Sequence, residues 1–272
     1  MSEVIVIGGG PAGSTVAALV AEAGHSVQLF EREQFPRFSI GESLMPDTYW
    51  TFKRLGVLDK LKASAFPRKH SVQFFGKSGR GSAPFYFADN NPHESSVTWQ
   101  VQRGEFDKML LDNAGEKGAE IHQGARVLEV LFDGVAEMGA SRSDVAPAIP
   151  RATGVRAKLA DGETRDFTAQ VVVDATGQSA LIGRKLKLTA PEPQLKKASI
   201  YTHYRGGHRD EGIDEGATLI LHSENRDSWF WYIPLPEDKV SVGVVGAIDY
   251  LVQGREEDAQ TIFDQEMAIC AP

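Results

Sequence analysis

The chain has 272 residues, enough for one large domain or two smaller ones, and its composition of 42% hydrophobic, 24% charged and 9% aromatic residues is that of a folded globular protein. Lysine and arginine number 29 against 37 aspartate and glutamate, and the net charge of −8 has the wrong sign for a surface that binds nucleic acid. The single cysteine, Cys270, excludes an internal disulfide framework and a cysteine-based zinc site. No apolar run reaches the ~18 residues of a membrane span, and no signal peptide precedes the first predicted strand. We therefore expect a cytoplasmic protein with no metal site, no nucleic-acid partner and no membrane span.

The N-terminal region predicts a βαβ unit. Residues 3–7 are a short apolar run typical of a buried strand, and a glycine-rich turn follows it. A helix rich in Ala, Val and Leu then extends to Ala23, where Gly24 ends it. Residues 26–31 form a second buried strand, so the chain starts with strand, helix and strand in about thirty residues.

Further helices and strands alternate along the chain until strands dominate its last third. Apolar residues at helical spacing predict helices at 52–63 and 105–117. Strands are predicted at 71–76, 97–101, 126–132, 154–159 and 170–173, with a hairpin turn at 161–162 and an exposed hairpin loop at 136–152. From residue 199 the pattern predicts antiparallel strands at 200–205, 218–222, 229–235 and 240–245, and then a helix at 256–269. We infer a discontinuous nucleotide-binding region at 1–190, which includes strands of a second sheet near 70–101, and a substrate-side sheet with a terminal helix at 191–272.

A Gly-x-Gly-x-x-Gly motif lies between the first strand and the first helix, at Gly8, Gly10 and Gly13. The first glycine permits a tight turn, the second lets the backbone approach a pyrophosphate at the helix N-terminus, and the third allows close helix packing. Glu31, at the end of the next strand, can accept hydrogen bonds from a ribose diol. Because strand, helix and acid are all in register, the motif favours adenine dinucleotide binding over a merely tight turn.

A second glycine-containing turn, from Asp174 to Gly177, follows the buried strand at 170–173. The simple NAD-binding fold does not need this turn, and the arrangement resembles the FAD-binding fold of the para-hydroxybenzoate hydroxylase type. That resemblance implies an α/β protein with an FAD-binding doubly wound βαβ fold and a second, mostly antiparallel, substrate-facing sheet. The cofactor contacts that the resemblance implies beyond the glycines and Glu31 are Pro11, Ala12, Arg32, Arg103, Val127, Asp174 and Gly177. For Arg103, the alternative interpretation is a solvated surface arginine.

Residues 35–46, Phe-Pro-Arg-Phe-Ser-Ile-Gly-Glu-Ser-Leu-Met-Pro, resemble the loop with which flavin-dependent halogenases cover the isoalloxazine ring. The likeness is to the chondrochloren-type branch of that family and extends through nearly the whole chain. It implies flavin contacts at Ile40, Gly41 and Ser43.

The same family carries a Trp-x-Trp-x-Ile-Pro motif, which residues 229–234 match, although Ser228 stands where the family usually has glycine. Taken alone, two tryptophans at i and i+2 would indicate one face of a strand packed into a core. Taken with the loop and the FAD motifs, they are similar to the family's barrier beside the flavin tunnel. The implied tunnel residues are Trp229, Trp231, Ile233 and Pro234.

Halogenation and hydroxylation by a reduced flavin make different demands on the protein. A monooxygenase brings its substrate to the activated oxygen, whereas a halogenase admits a halide, keeps the organic substrate away and holds the hypohalous acid near the arene. A lysine ammonium can hydrogen-bond that acid or form a haloamine. The family pattern of an aromatic residue, two further residues and then a lysine before a strand assigns this catalytic role to Lys69, three residues after Phe66. A solvated surface lysine is the alternative; the neighbouring lysines without motif support are Lys60, Lys62 and Lys77.

The resemblance implies FAD as cofactor, halide as co-substrate and a separate flavin reductase, because no second Gly-x-Gly-x-x-Gly motif is present for NADPH. The expected substrate is an electron-rich aromatic small molecule or one tethered to a carrier protein. Family members carry further motifs beyond the point that corresponds to Pro272, so we expect the C-terminal part of the family fold to be missing. The alternatives are an FAD-dependent aromatic monooxygenase, a flavoprotein reductase of the geranylgeranyl reductase type and a non-catalytic FAD-binding protein.

Overall fold

The computed structural model describes residues 2–133, 150–225 and 227–271, so most of the loop expected at 136–152 lies outside the described residues. The fold is mixed α/β, which confirms the predicted class. Its strands are β1 (Ser2–Ile7), β2 (Val27–Glu31), β3 (Arg68–Lys69), β4 (Ser71–Phe75), β5 (Phe85–Tyr86), β6 (Thr98–Trp99), β7 (Glu120–Gln123), β8 (Arg126–Asp133), β9 (Arg151–Lys158), β10 (Thr164–Asp174), β11 (Lys197–Arg205), β12 (Thr218–His222), β13 (Ser228–Leu235) and β14 (Lys239–Ala247). Its α-helices are α1 (Pro11–Glu22), α2 (Thr48–Leu55), α3 (Leu58–Ala63), α4 (Phe87–Asn90), α5 (Arg103–Glu116), α6 (Leu181–Lys185), α7 (Ile248–Leu251) and α8 (Ala259–Ala268).

The chain divides into two compact units, and each is built from two separate segments. The first unit comprises Met1–Ser39 and Gly104–Ala190, and the second comprises Ile40–Arg103 and Pro191–Pro272. The nucleotide-binding region expected at 1–190 therefore contains one segment, residues 40–103, that packs in the second unit. The physical reason is strand pairing, because β4 hydrogen-bonds to β12.

The first unit is organised around a sheet with the strand order β7-β2-β1-β10-β9-β8. Strands β7, β2, β1 and β10 are parallel, and β8, β9 and β10 form an antiparallel meander. Parallel strands are usually covered on both faces, which accounts for the continuous apolar runs of β1 and β2. Helix α1 packs against both strands, as the predicted βαβ unit requires. The buried core of this unit includes Ile5, Phe30, Val130 and Val155.

The second unit contains a sheet with the order β11-β14-β13-β12-β4-β5, in which β12 and β4 are parallel and the other neighbours are antiparallel. The expected, mostly antiparallel second sheet is therefore confirmed. Side chains alternate between its two faces, because successive residues of a strand point in opposite directions. One face carries Phe230 and Val244, which form a buried core with Ile262 and Phe263 of α8.

The helices differ from the predicted ones in two places. The prediction of one helix at 52–63 is wrong, because Gly56 adopts a left-handed conformation with a φ of 75° and ends α2 before α3 begins. The terminal helix, expected from residue 256, starts at Ala259, because the Asp258 carboxylate caps it by accepting a 2.8 Å hydrogen bond from the Thr261 amide. Within the described ranges, none of the helices combines the length and the apolarity that crossing a membrane requires.

We predict that Phe263→Ala destabilises the protein by about 3–5 kcal/mol, because a cavity would replace a buried ring. Phe263 meets Phe230 edge to face, with ring centroids 5.6 Å apart. Urea unfolding measures the loss. The control Met267→Ala changes a 43% exposed residue of the same helix and should alter the free energy of unfolding by less than about 0.5 kcal/mol. Equal losses from the two substitutions would place Phe263 outside the core.

Candidate functional site

The glycine motif forms the turn that joins the carboxyl end of β1 to α1. A Cβ atom on Gly13 would lie 1.9 Å from the Gly8 carbonyl oxygen, and one on Gly8 would lie 2.6 Å from the Ala175 carbonyl oxygen. Gly8 also has a φ of +102°, which side chains rarely permit. At Gly10 the nearest atom to such a Cβ is Nη2 of Arg37, at 3.5 Å. The turn is therefore closely packed on one side and open at Gly10.

The N-terminus of α1 is suited to an anion. The helix starts with Pro11 and has neither a side-chain cap at Gly10 nor an acidic residue in its first turn. Its first backbone N–H groups and its dipole are consequently available to a phosphate. Arg37 adds a positive charge beside the turn, where its Nη1 atom lies 3.1 Å from Oδ2 of the buried Asp107. No sequence motif singled out Arg37, although it lies within residues 35–46.

Glu31 lies at the carboxyl end of β2 and is 5% exposed. Its Oε2 atom accepts a 2.7 Å hydrogen bond from the Gly9 amide, and its Oε1 atom accepts a 2.9 Å hydrogen bond from the Glu33 amide. The carboxylate thus ties the glycine turn to the end of β2. Each carboxylate oxygen has a further lone pair that can accept from a ribose hydroxyl, so the structural role is compatible with the predicted one.

The second predicted turn lies beside the first, because Ile7 of β1 pairs with Asp174 of β10. The Asp174 carboxylate accepts hydrogen bonds from the backbone amides of Thr176 (3.1 Å) and Ile182 (2.7 Å) and from the Thr176 hydroxyl (2.6 Å). Asp174 therefore shapes its own turn and anchors α6. Gly177 has a φ of +60°, and a Cβ there would meet open space among the described residues. Both turns follow the carboxyl ends of parallel strands, where α/β sheets bind ligands.

Val127 and Arg32 lie elsewhere in the first unit. Val127 is half-buried on β8, next to a shift in the pairing register with β9. Arg32 follows β2 and is exposed, with its Nε atom 3.4 Å from a Glu33 carboxylate oxygen. Their contacts with the cofactor stay predictions.

In the second unit, residues 40–44 form an extended segment that pairs with residues 99–101. The Leu44 amide donates to the Trp99 carbonyl at 3.1 Å, and the Val101 amide donates to the Glu42 carbonyl at 2.6 Å. The strand predicted at 97–101 is thus limited to β6, and its remainder pairs irregularly with this segment.

Arg103 fixes the start of the extended segment. Its guanidinium donates hydrogen bonds to the carbonyl oxygens of Ile40 and Gly41. Gly41 has a φ of +103°, and a Cβ there would lie 2.7 Å from Nη1 of Arg103. The interpretation of Arg103 as a merely solvated residue is therefore wrong, whereas its contact with the flavin stays a prediction.

Lys69 is buried in the second unit, with 3% of its surface exposed. Its Nζ atom donates to Ser43 Oγ at 2.9 Å and to the Leu44 carbonyl at 3.3 Å, and lies 5.4 Å from the centroid of the Phe87 ring. Because burial removes water from the ammonium, the pKa of Lys69 falls from 10.5 to about 8. The surface-lysine alternative is excluded, and an appreciable fraction of the amine is neutral near pH 8.

Trp229 and Trp231 share one face of β13, since they alternate with Phe230 on the opposite, core-facing side. The Trp231 indole donates a 3.1 Å hydrogen bond to the Ser241 hydroxyl. It also covers Gly243, where a Cβ would lie 2.2 Å from the ring. Farther along the strand, Ile233, Pro234 and Leu235 are all buried.

The face that carries the tryptophans is also the one beside the predicted catalytic lysine. Leu219 of β12 pairs with Tyr232 of β13, so the adjacent Thr218 points to the opposite face, as Trp231 does. The Thr218 hydroxyl lies 3.0 Å from Ser43 Oγ, the hydroxyl that contacts the lysine. The structure thus brings the lysine cluster to the face of the second sheet that carries Trp229, Trp231 and Ile233. Pro234, which pairs with the core residue Val240, lies on the opposite face.

The residues present fit the FAD that the motifs predict. The open backbone of Gly10, the uncapped helix N-terminus and Arg37 suit a pyrophosphate, and Glu31 suits a ribose. In the second unit the side-chain oxygen of Gln102 is buried without a hydrogen-bond partner among the described residues. The described ranges hold no group of three or more His, Cys, Asp or Glu residues that could bind a metal ion.

Comparison with known proteins agrees with this geometry. The family model "FAD binding domain" matches residues 1–260. The protein therefore belongs to the FAD-binding domain family, and FAD is its cofactor.

Within that family, the chain is similar to flavin-dependent halogenases, which confirms the resemblance seen in the motifs. It is 32% identical over 263 residues to the 1H-pyrrole-2-carbonyl-(peptidyl-carrier protein) chlorinase of Pseudomonas fluorescens, covering 89% of this chain and 55% of the chlorinase. It is 33% identical over 245 residues to the corresponding brominase of Pseudoalteromonas luteoviolacea, covering 89% of this chain and 54% of the brominase. The structure of the myxobacterial chondrochloren halogenase CndH aligns with a TM-score of 0.84 at 32% identity, over 99% of this chain and 58% of that chain. The chain thus spans about half the length of the curated relatives it matches.

Gly10→Val is expected to abolish flavin binding and leave the fold intact, because the added side chain would occupy the open side of the turn without meeting backbone. The flavin absorbance of protein reconstituted with FAD measures the effect. The control Gly115→Ala adds a Cβ whose nearest neighbour is Ile121 Cγ1 at 3.8 Å, and it should keep the wild-type flavin content. Equal flavin content in Gly10→Val and wild-type protein would show that the pyrophosphate does not bind at this turn.

Glu31→Gln is expected to weaken FAD binding by ~1.5–3 kcal/mol, roughly tenfold or more, because charge-assisted hydrogen bonds to the ribose are lost. Both substitutions should in addition lower stability, since Glu31→Gln turns an NH2 group toward the Gly9 or the Glu33 amide and Glu31→Ala leaves both amides without their acceptor. Titration calorimetry measures the Kd, and Glu120→Gln, at an exposed acid on β7, should leave it unchanged. An unaltered Kd in Glu31→Gln would mean that the ribose is held elsewhere.

Lys69→Met is expected to stabilise the protein below about pH 8, where the native lysine is a buried charge, and this advantage should shrink as the pH rises toward 10.5. Between these pKa values the unfolded chain keeps a proton that the folded chain has lost, so wild-type stability rises with pH relative to the variant. Chemical denaturation of both proteins at about pH 7 and pH 10 measures a change of the order of 3 kcal/mol. A constant difference across this range would show an ordinary pKa for Lys69.

Proposed function

We propose that this protein is a flavin-dependent halogenase that uses reduced FAD, oxygen and a halide to halogenate an electron-rich aromatic substrate. The observation that carries the proposal is the burial of Lys69 in a polar cluster on the face of the second sheet that also bears Trp231. The similarity to a chlorinase and a brominase supports it. A monooxygenase requires no buried lysine at this position.

Reduced FAD, when bound, supplies with oxygen the oxidising equivalents that convert a halide to hypohalous acid. The Gly10 backbone, the N-terminus of α1 and Arg37 bind the negative pyrophosphate. Glu31 accepts hydrogen bonds from the ribose and keeps the glycine turn in place through the Gly9 amide. The indoles of Trp229 and Trp231 act as steric barriers that keep the organic substrate apart from the oxidant.

Lys69 holds the hypohalous acid and directs its halogen. The ammonium form donates a hydrogen bond to the oxygen of the acid, which improves the leaving hydroxide and makes the halogen more electrophilic. In the neutral form the Nζ lone pair attacks the halogen: an N–halogen bond forms, the O–halogen bond breaks, and the departing hydroxide takes a proton from the nitrogen to give water. The arene then attacks the halogen of the haloamine: a carbon–halogen bond forms, the N–halogen bond breaks, and the proton that the ring loses restores the amine. A pKa of about 8 keeps both forms populated near neutral pH.

The proposed substrate is an electron-rich aromatic ring, free or tethered to a carrier protein. Two of the similar enzymes are named for a pyrrole carried by a peptidyl-carrier protein, which supports the tethered form. A separate flavin reductase delivers the reduced cofactor, because the sequence offers a single Gly-x-Gly-x-x-Gly motif and FAD occupies it. A reducing cytoplasm suits the lone Cys270 and is the proposed location.

Lys69→Ala is expected to keep hypohalous acid release and lose halogenated product, since the lysine acts on the oxidised halogen. The assay supplies a flavin reductase, FAD, NADH and bromide or chloride, reads free hypohalous acid with monochlorodimedone, and reads halogenated resorcinol by mass spectrometry. Lys69→Arg should also fail, because a guanidinium is differently shaped and does not form the haloamine. The control Lys77→Ala changes an exposed lysine and should retain both activities.

Other outcomes assign the protein differently. Hydroxylated product from the wild-type protein, independent of halide, would identify an aromatic monooxygenase. Flavin oxidation without either product, with hydride transfer to an alkene, would favour the reductase alternative. Substantial halogenated product from Lys69→Ala would show that another residue directs the halogen onto the substrate.

A further inference from the structure

We propose that Ser43, Thr218 and Gln100 are positioning residues that fix the amine of Lys69 through an ordered chain of hydrogen bonds. The proposal deepens the proposed function and depends on it for the role of Lys69. The hydrogen-bonded chain itself can be tested without any reaction, because it predicts a restrained Lys69 side chain.

The chain of contacts runs from the lysine into the interior of the second unit. Lys69 Nζ lies 2.9 Å from Ser43 Oγ, and Ser43 Oγ lies 3.0 Å from Thr218 Oγ1. The Gln100 side-chain amide donates to Thr218 Oγ1 at 2.8 Å and to the Gly216 carbonyl at 2.9 Å. Lys69, Gln100 and Thr218 are all buried, so water does not compete freely for these groups.

The donors of two of these hydrogen bonds follow from chemistry. The Gly216 carbonyl oxygen can only accept, so the Gln100 atom that faces it must be the NH2 group. The same NH2 group donates to Thr218 Oγ1, which keeps a second lone pair and its own proton for Ser43. Either hydroxyl can donate between Thr218 Oγ1 and Ser43 Oγ, and with both arrangements Ser43 Oγ accepts from Lys69. The buried amide of Gln100 thereby holds the Thr218 hydroxyl in place, and Thr218 in turn holds the Ser43 hydroxyl that contacts Lys69.

This arrangement explains how a long side chain keeps one orientation. A lysine ammonium has three N–H donors on a flexible four-carbon stem. Among the described contacts, two donors are directed to Ser43 Oγ and the Leu44 carbonyl. The third donor is then available for hypohalous acid. Because reaction rates fall steeply when reacting groups are misplaced by about 1 Å, an amine held at two points directs the halogen better than a mobile one.

The cluster is assembled from parts of the chain that are distant in sequence. Ser43 comes from the extended segment at 40–44, Gln100 from the segment after β6, and Thr218 from the first position of β12. A backbone bridge joins Ser43 to Gln100. Backbone pairing therefore fixes the spacing of Ser43 and Gln100, and β12 supplies Thr218, so the alignment does not depend on one loop.

The first test reads the mobility of Lys69 by NMR in protein labelled with [ε-13C]lysine, with the Lys69 signal assigned from its loss in Lys69→Met. An immobile lysine shows two separate Hε shifts, whereas a freely rotating one shows a single averaged shift. Wild-type protein should show separate shifts, and Thr218→Val, which removes the hydroxyl and keeps the side-chain shape, should bring them together. Thr218→Ser restores the hydroxyl and should restore the separation.

Thr202→Val is the matched control. Thr202 lies on β11 and shares the sheet face of Leu219, opposite to Thr218, so its substitution should leave the Lys69 signals and the activity unchanged. Ser43→Ala provides a second, independent break in the chain and should also average the Hε shifts. Separate Hε shifts that persist in both Thr218→Val and Ser43→Ala would overturn the proposal.

The second test measures the yield of halogenated resorcinol per hypohalous acid released. Thr218→Val should lower this ratio by about three- to tenfold, the loss expected for one hydrogen bond, and Thr218→Ser should recover it. An unchanged ratio in Thr218→Val would overturn the positioning role. If wild-type protein releases no hypohalous acid, the proposed function fails, whereas the hydrogen-bonded chain is still judged by the NMR signals.

Discussion

The first unit depends on the close approach of three backbone segments, at Gly8, Gly13 and Ala175. A Cβ atom on Gly13 would lie only 1.9 Å from the Gly8 carbonyl oxygen, so no residue with a side chain fits at position 13. Because the helix can lie this close to the strand, its N-terminal amides face the edge of the sheet at which β1 and β10 both end. The anion-binding end of α1, the Glu31 carboxylate and the Asp174 turn all take their places from this contact. In the proposed binding mode, the glycines set the position of the cofactor's pyrophosphate before any side chain contributes to binding.

Much of this unit could be predicted from the sequence because its signals are local. Gly8, Gly10, Gly13 and Glu31 lie within one βαβ unit, and their spacing alone indicates a dinucleotide turn. Other features depend on contacts between distant segments. The sequence shows Asp174 next to a glycine turn, but only the structure shows its carboxylate bonded to the backbone amides of Thr176 and Ile182.

In the second unit, too, some features could be predicted from the sequence and others only from the structure. The family pattern identified Lys69, and the structure shows that it is buried. Its partners Ser43, Gln100 and Thr218 have no common motif, since they meet only after β12 pairs with β4 and the segment at 40–44 pairs with residues 99–101. The division of 52–63 into two helices follows from Gly56, whose left-handed conformation is a local signal that the helical periodicity concealed. Hydrophobic periodicity thus predicts most of the longer elements, whereas the short ones, such as β3, β5 and α4, and the polar contacts between elements need the folded chain.

In the proposed mechanism, burial makes Lys69 more reactive at the expense of the stability of the folded protein. The desolvation that lowers the pKa of Lys69 also makes the folded state less favourable at neutral pH than it would be with an apolar residue. Natural proteins commonly retain such a cost where a group must react. The neighbouring hydroxyls and the Leu44 carbonyl offset part of it by replacing water around the ammonium.

The interleaving of the two units determines the order in which the chain can fold. β1 finds its parallel neighbour β2 early, but its other neighbour, β10, is made only after the whole of residues 40–103. β4 in turn pairs with β12, which follows the completed first unit along the chain. Pairings between such distant segments are slow to form, because a long loop must close before the contact is gained. During synthesis on the ribosome, the unpaired edge of β4 and the unfinished parallel sheet are consequently exposed together, which makes this stretch of translation the period when the protein most needs protection from aggregation.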